Sequence, residues 1–288
     1  MKIGIGLPNQ VRNVRPAVIP RWAAEVEQAG FSTLATVGRI AYPGVMDTVA
    51  LAAAAGATST IGLLSGVMVG PVWPPVLLAK EAAGIDGVSG GRLTLGLGIG
   101  GLPDDFVADG HGMRSRGQRF DHDLQVYRDV WRGKPVGSGA NAAVPAESRE
   151  VPLLFGALAP AAFERMALWG KGYIGASLPP HMVAGAFDSA RDAWRNAGRA
   201  GSPRLVALAY FAFGDISEGR RKIHDYYSVL DRGLADVVAG GVRDGAAGVR
   251  EAVAAFGDLG ADELIFNPAL DDPSELARLA GAVALGRR

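Results

Sequence analysis

The chain has 288 residues, 49% of them hydrophobic and 20% charged, a balance that suits a globular α/β protein and is far from that of disordered chains. Lys plus Arg equals Asp plus Glu at 29 each, so no net field recruits nucleic acid or an anionic membrane, and a small molecule is the expected partner. The absence of cysteine excludes disulfides, thiolate metal sites and cysteine nucleophiles.

Met1 leads directly into "KIGIGL", a strand pattern without the basic start and apolar core of a signal peptide, so a cytoplasmic location is expected. Seven further apolar runs follow in order: "FSTLATV", "IGLLSGVMV", "RLTLGLGIG", "VPLLFGA", "GYIGAS", "LVALAYFAF" and "ELIFNPA". Helical periodicity separates them, as in "RPAVIPRWAAEVEQAG", "MDTVALAAAAGATS", "PPVLLAKEAAGIDGVS" and "GQRFDHDLQVYRDVWRG". Nearly all-apolar strands alternating with helices predict a parallel sheet covered on both faces. Eight such units predict one (β/α)8 TIM barrel domain over residues 1–288, with first and last strands paired. Two long connections interrupt the rhythm, near 101–117 and 133–150. The first lies on the face where barrels keep their chemistry, and the second, rich in Gly, Ala and Pro, is expected to be mobile on the opposite face.

In "RLTLGLGIGG", Gly96, Gly98 and Gly101 have the spacing of a dinucleotide-binding turn. That fingerprint requires the first strand of a βαβ unit and a helix directly after it, whereas this stretch is the fourth strand and runs into "LPDDF". The reading that remains gives Gly100 and Gly101 to a ligand-facing strand end, and Gly96 and Gly98 to packing.

Read continuously, "YPGVMDTVALAAAAGATSTIGLLSGVMVGPVWPPVLLAKEAAGIDGVSGGRLTLGLGIGG" resembles the bacterial luciferase-like superfamily of FMN- and F420-dependent oxidoreductases. The A-x-x-T-x-x-I-x-L strand entry, the P-x-x-x-A-K helix start, the "SGGR" turn and the glycine-alternating strand carry the likeness. It implies a barrel holding the cofactor ring at its strand carboxyl ends, and either hydride transfer with reduced F420 or monooxygenation with reduced FMN, on a small organic substrate. It further implies a homodimer packed through early helices. The alternative is a non-catalytic flavin- or ligand-binding protein of the same descent. Ile99 stands near luciferase's phosphate-binding arginine, and "SGVMV" fits the F420 members, which tilts the cofactor toward F420 without excluding FMN.

The same resemblance implies site residues. Gly66-Val67 matches a non-prolyl cis peptide in a bulge behind the ring, with Val67 pressing on it. Gly156, Ala157, Gly175, Ala176 and Ser177 match strand ends that hold the cofactor phosphate, Ser177 serving equally well as a helix cap. Gly100 and Asp104 match positions beside the ring, although Asp104 and Asp105 also read as solvated loop carboxylates. Arg39, Tyr42, Trp73 and Phe106 are candidates for the substrate pocket. Family members often carry a His or Glu after the second strand, and "TVGRIAYPG" has neither, which leaves the proton donor unassigned. His111 and His181 are the candidate acid/base groups by position, a surface histidine being the alternative for each. No metal-ligand spacing is present, and no metal is expected.

Overall fold

The structure, a computed structural model, describes residues 1–284 apart from His111 and Ala157, and omits the side chains of Ala108 and Asp109. Its strands in chain order are β1 (Lys2–Gly6), β2 (Thr33–Thr36), β3 (Gly62–Ser65), β4 (Met68–Val69), β5 (Leu93–Gly98), β6 (Leu153–Gly156), β7 (Gly172–Ile174), β8 (Arg204–Ala212), β9 (Arg243–Asp244) and β10 (Glu263–Pro268). All are parallel to their neighbours. The barrel closes where β10 pairs with β1, Lys2 opposite Glu263, and with β8, Val206 opposite Glu263. The predicted adjacency of first and last strands is therefore observed, and the eight strand segments read from the sequence are the eight staves of the barrel.

The helices are α1 (Val18–Ala29), α2 (Asp47–Ala57), α3 (Pro75–Val88), α4 (Pro103–Asp109), α5 (Arg116–Trp131), α6 (Pro160–Trp169), α7 (Pro180–Asn196), α8 (Ile216–Tyr227), α9 (Arg232–Gly240), α10 (Gly245–Asp258) and α11 (Ser274–Ala282). Two cores follow from strand alternation. Outward residues such as Leu34, Leu63, Phe155 and Phe266 pack under the helices with Trp22, Tyr127 and Phe187. Inward residues Ala35, Leu64, Leu154, Ile174, Val206, Leu208 and Ile265 fill the barrel, and Val67 caps this stack from above.

The third stave bulges between β3 and β4, where the Gly66–Val67 peptide is cis. Ser65 replaces the interrupted ladder with its side chain: its Oγ accepts from Gly96 N at 2.8 Å and donates to Gly96 O at 2.9 Å.

Three features depart from the sequence reading. The 101–117 connection contains a helix, α4, directly after the glycine strand, so the absence of a helix was not a valid ground for rejecting a dinucleotide turn. The place of β5 in a closed barrel is. The 133–150 connection is pinned: Arg149 makes a bidentate pair with the buried Asp86, at 2.8 and 2.9 Å, and an antiparallel bridge joins Pro135 to Ala142. Finally, a third excursion leaves β8, the α8–α9 hairpin, and it crosses the face where the strand carboxyl ends meet.

Candidate active site

A cavity of about 350 Å3 opens among the carboxyl ends of β2, β3, β5, β6 and β7. Its floor is apolar and is shaped by what is missing. A Cβ on Gly156 would stand 3.0 Å from Val67 Cγ1, and one on Gly98 would stand 3.2 Å from Cγ2. Glycine at both positions therefore leaves the Val67 methyls uncovered by side chains from β5 and β6. One flank is the β5 end, Gly98 to Leu102, where Gly100 has φ +70° and accepts from Arg116 Nε at 3.2 Å. The other is the β7 end, Gly175 to Leu178.

The roof is the α8–α9 hairpin. Asp215 caps α8 by accepting from Ser217 N and Glu218 N, and Asp231 caps α9 by accepting from Leu234 N at 2.8 Å. These carboxylates satisfy first-turn donors that would otherwise be left without partners. The hairpin thereby presents Tyr226, Tyr227, Leu230, Leu234 and Val238 to the cavity. It is fastened to the barrel rim by Arg12–Asp225 at 2.7 Å, by Arg39 Nη1 donating to Tyr226 O at 2.8 Å, and by edge-on contact of Tyr42 with Tyr226. Inside, the Tyr227 hydroxyl lies 3.2 Å from that of Tyr210, with Ser177 beside it. Burial pushes both phenols above their ordinary range.

The β2 side is the polar wall. Asp105, 1% exposed, accepts from Ile40 N and Ala41 N at 3.0 and 2.9 Å and so fixes the loop after β2. Asn9 braces the same loop from behind, donating to Val37 O at 2.9 Å. Asp47, at the start of α2, is 3% exposed. Burial raises its carboxyl to about 6; the nearby Thr36 hydroxyl pulls the other way without an aligned hydrogen bond, and the charge of Asp105 adds to the rise.

The sequence profile of luciferase-like monooxygenases matches residues 1–266. The chain belongs to that family. An uncharacterised protein of Mycobacterium tuberculosis strain H37Rv is 28% identical over 174 residues, covering 50% of this chain and 60% of the relative. Among solved structures, the monooxygenase RslO1 of Streptomyces bottropensis is similar with a TM-score of 0.74 and 25% identity, covering 99% of this chain and 98% of that one. An F420-dependent secondary alcohol dehydrogenase in complex with an F420-acetone adduct has a TM-score of 0.79 at 15% identity, covering 100% and 99%. Members of the luciferase-like family are flavin- or deazaflavin-dependent oxidoreductases.

In this luciferase-like barrel, Gly66, Val67, Gly100, Gly156, Gly175, Ala176, Ser177 and Arg39 come together on the cavity. Ala157 and His111 lie outside the described residues. Five calls fall elsewhere. Asp104 points to solvent from the first turn of α4, because the helix phase turns Asp105 inward instead. Phe106, 1% exposed, packs under Gly100 as core. Tyr42 stands outside against α8, and Trp73 borders a small neighbouring chamber. His181 is exposed near the start of α7, in a separate depression with Asp236 and Arg243. No histidine lines the cavity among the described residues. The roof residues went unrecognised in the sequence: Tyr226, Leu230, Leu234 and Val238 recur every fourth residue, but they are divided among α8, the turn and α9.

Proposed function

We propose that this chain is an oxidoreductase that holds reduced F420 or reduced FMN with the ring on Val67 and acts on a small, uncharged, largely apolar organic molecule under the α8–α9 roof. The observation that carries the reading is the floor: a valine flanked by two glycines, in an open cavity, offers a planar apolar ring a platform that any side chain at Gly98 or Gly156 would obstruct. The fit extends to the flank, where Gly175, the exposed Ala176 and Ser177 line the cavity, and the backbone of 176–177 with the Ser177 hydroxyl suits a phosphate. When bound, either cofactor supplies hydride transfer, and reduced FMN also supplies oxygen insertion. The protein's part is to seat the ring, exclude water with Leu178, Leu230, Leu234 and Val238, and orient the substrate against Tyr227 and Arg39.

F420 is favoured over FMN by the bulge sequence, and a homodimer through α2 is supported by Val49, 59% exposed on that helix. No helix among the described residues is long and apolar enough to cross a membrane.

Equilibrium titration with oxidised and reduced F420 and FMN tests the reading directly. Saturable binding of one of them, followed by its oxidation in the presence of a carbonyl, thioether or enone compound, is the expected result. Binding of neither refutes it. The absence of a histidine from the described lining favours a second reading, a ligand-binding protein without turnover, which predicts saturable binding and no acceleration with any compound of such a panel.

A further inference from the structure

Three buried polar atoms without hydrogen-bond partners come from residues gathered at the β2 end: Thr36 Oγ1, Arg39 Nε and Asp47 Oδ1. Leaving such an atom unsatisfied is costly, so three in one neighbourhood call for a shared partner. Arg39 and Asp47 border a chamber of about 10 Å3, close to the smallest space that holds one water. Gly38, Arg39 and Val69 line both this chamber and the large cavity, so the two are neighbours that share a wall. The Asp47 carboxylate lies flat against that glycine: a Cβ on Gly38 would fall 1.9 Å from Oδ2.

We propose that Thr36 Oγ1, Arg39 Nε and Asp47 Oδ1 hold one water between them, and that this water exchanges protons between the Asp47 carboxyl and the large cavity. The three atoms are complementary to it. Arg39 donates to the water oxygen, the water donates to Asp47 when the carboxylate is ionised, and Thr36 donates or accepts as required. In transfer, the protonated carboxyl gives its proton to the water while the water releases another toward the cavity, leaving a carboxylate and the same water. The charged and titratable groups facing Asp47 are Arg39 and Asp105 on the β2 side and Tyr226 on the roof. Burial and the second acid, Asp105, let the carboxyl keep its proton to higher pH than an exposed aspartate does, so that it can act as a donor below about pH 6. On the function proposed above, Asp47 is the acid that no histidine of the described lining supplies.

The test uses the protein without cofactor. A crystal structure at atomic resolution should place a water within hydrogen-bonding distance of the three atoms. Infrared difference spectra between pH 4.5 and 8 should show the carbonyl band of a protonated buried carboxyl titrating near 6 and absent from Asp47→Asn. After transfer to D2O that band should shift promptly in the wild type and at least several-fold more slowly in Thr36→Val, which keeps the shape of the side chain and removes the hydroxyl. A dry chamber, a band that survives Asp47→Asn, or exchange unaffected by Thr36→Val each overturns the proposal. Failure to bind F420 or FMN would instead remove the proposed function and leave these three measurements standing, so the two failures are distinguishable.

Discussion

Asp47→Asn should make the protein more stable at neutral pH, by an amount that depends on pH in a defined way. The Asp47 carboxyl moves from 3.8 to about 6 on folding, chiefly because burial disfavours its charge, and at ~1.4 kcal/mol per tenfold change in proton affinity the ionised form costs the fold roughly 3 kcal/mol. The sign follows from proton counting. Below pH 4 both folded and unfolded chains carry the proton; between 4 and 6 the folded chain keeps a proton that the unfolded one has lost, so stability falls as pH rises; above 6 both are ionised and the loss is complete. Asparagine does not titrate. The stability of Asp47→Asn minus that of the wild type should therefore increase by roughly 2 kcal/mol between pH 4.5 and 8, read from urea unfolding at each pH. Asp123, also raised to about 6 by burial, steepens the wild-type curve but cancels in the difference. A difference that is flat across this range, or that falls with pH, would refute the burial argument for Asp47.

Val67→Ala removes two methyls from the cavity floor, worth roughly 1.6 kcal/mol of apolar contact at most, and should lower turnover with the cofactor that binds by about tenfold while affinity, sustained by the groups at 176–177, falls less; unchanged turnover in steady-state assays would remove the ring platform. Glu27 accepts from Ser59 N, Thr60 N, Thr60 Oγ1 and Ile61 N, which hold its carboxyl down at about 2 against the opposing effect of burial; Glu27→Ala should cost about 2 kcal/mol at pH 7 in urea unfolding, an effect that fades as pH falls from 4.5, where the unfolded chain takes up a proton, to about 2, where the folded carboxyl does. Val49→Asp on α2 should convert a dimer to a monomer in sedimentation at micromolar concentration, and a wild type that already sediments as a monomer would end that proposal.

The eight strands were legible because each is an apolar run with glycine or proline near its ends, and a parallel barrel leaves no solvent face to blur the pattern. The glycines at 66, 100, 156 and 175 and the valine at 67 were legible only through the ordered motifs around them; composition alone would have left them as turns. Asp104 and Asp105 show what a sequence cannot resolve: two adjacent carboxylates differ by one step of helix phase, and only the course of α4 decides which meets Ile40 N and Ala41 N. Asp47 was hidden in a helix noted for its alanines, since nothing in "MDTVALA" tells that its first carboxylate faces Gly38 rather than water. The roof was missed for a different reason. Its amphipathic pattern is that of any helix covering a barrel, and where it lands is fixed by β9, a two-residue strand too short to leave a pattern.

That short strand has a further consequence. Ala212 at the end of β8 is paired with Asp244 in β9, so the chain leaves the barrel and returns to it at adjacent residues, and everything between them is a closed detour that no stave depends on. Its polar attachments reach Arg12, Arg39 and Tyr42 on its outer side, Tyr210 within the cavity and Asp271 after the last strand. A barrel built this way can exchange the piece that selects its substrate while the piece that seats its ring stays unaltered, and new specificity becomes a matter of grafting one segment between two fixed points.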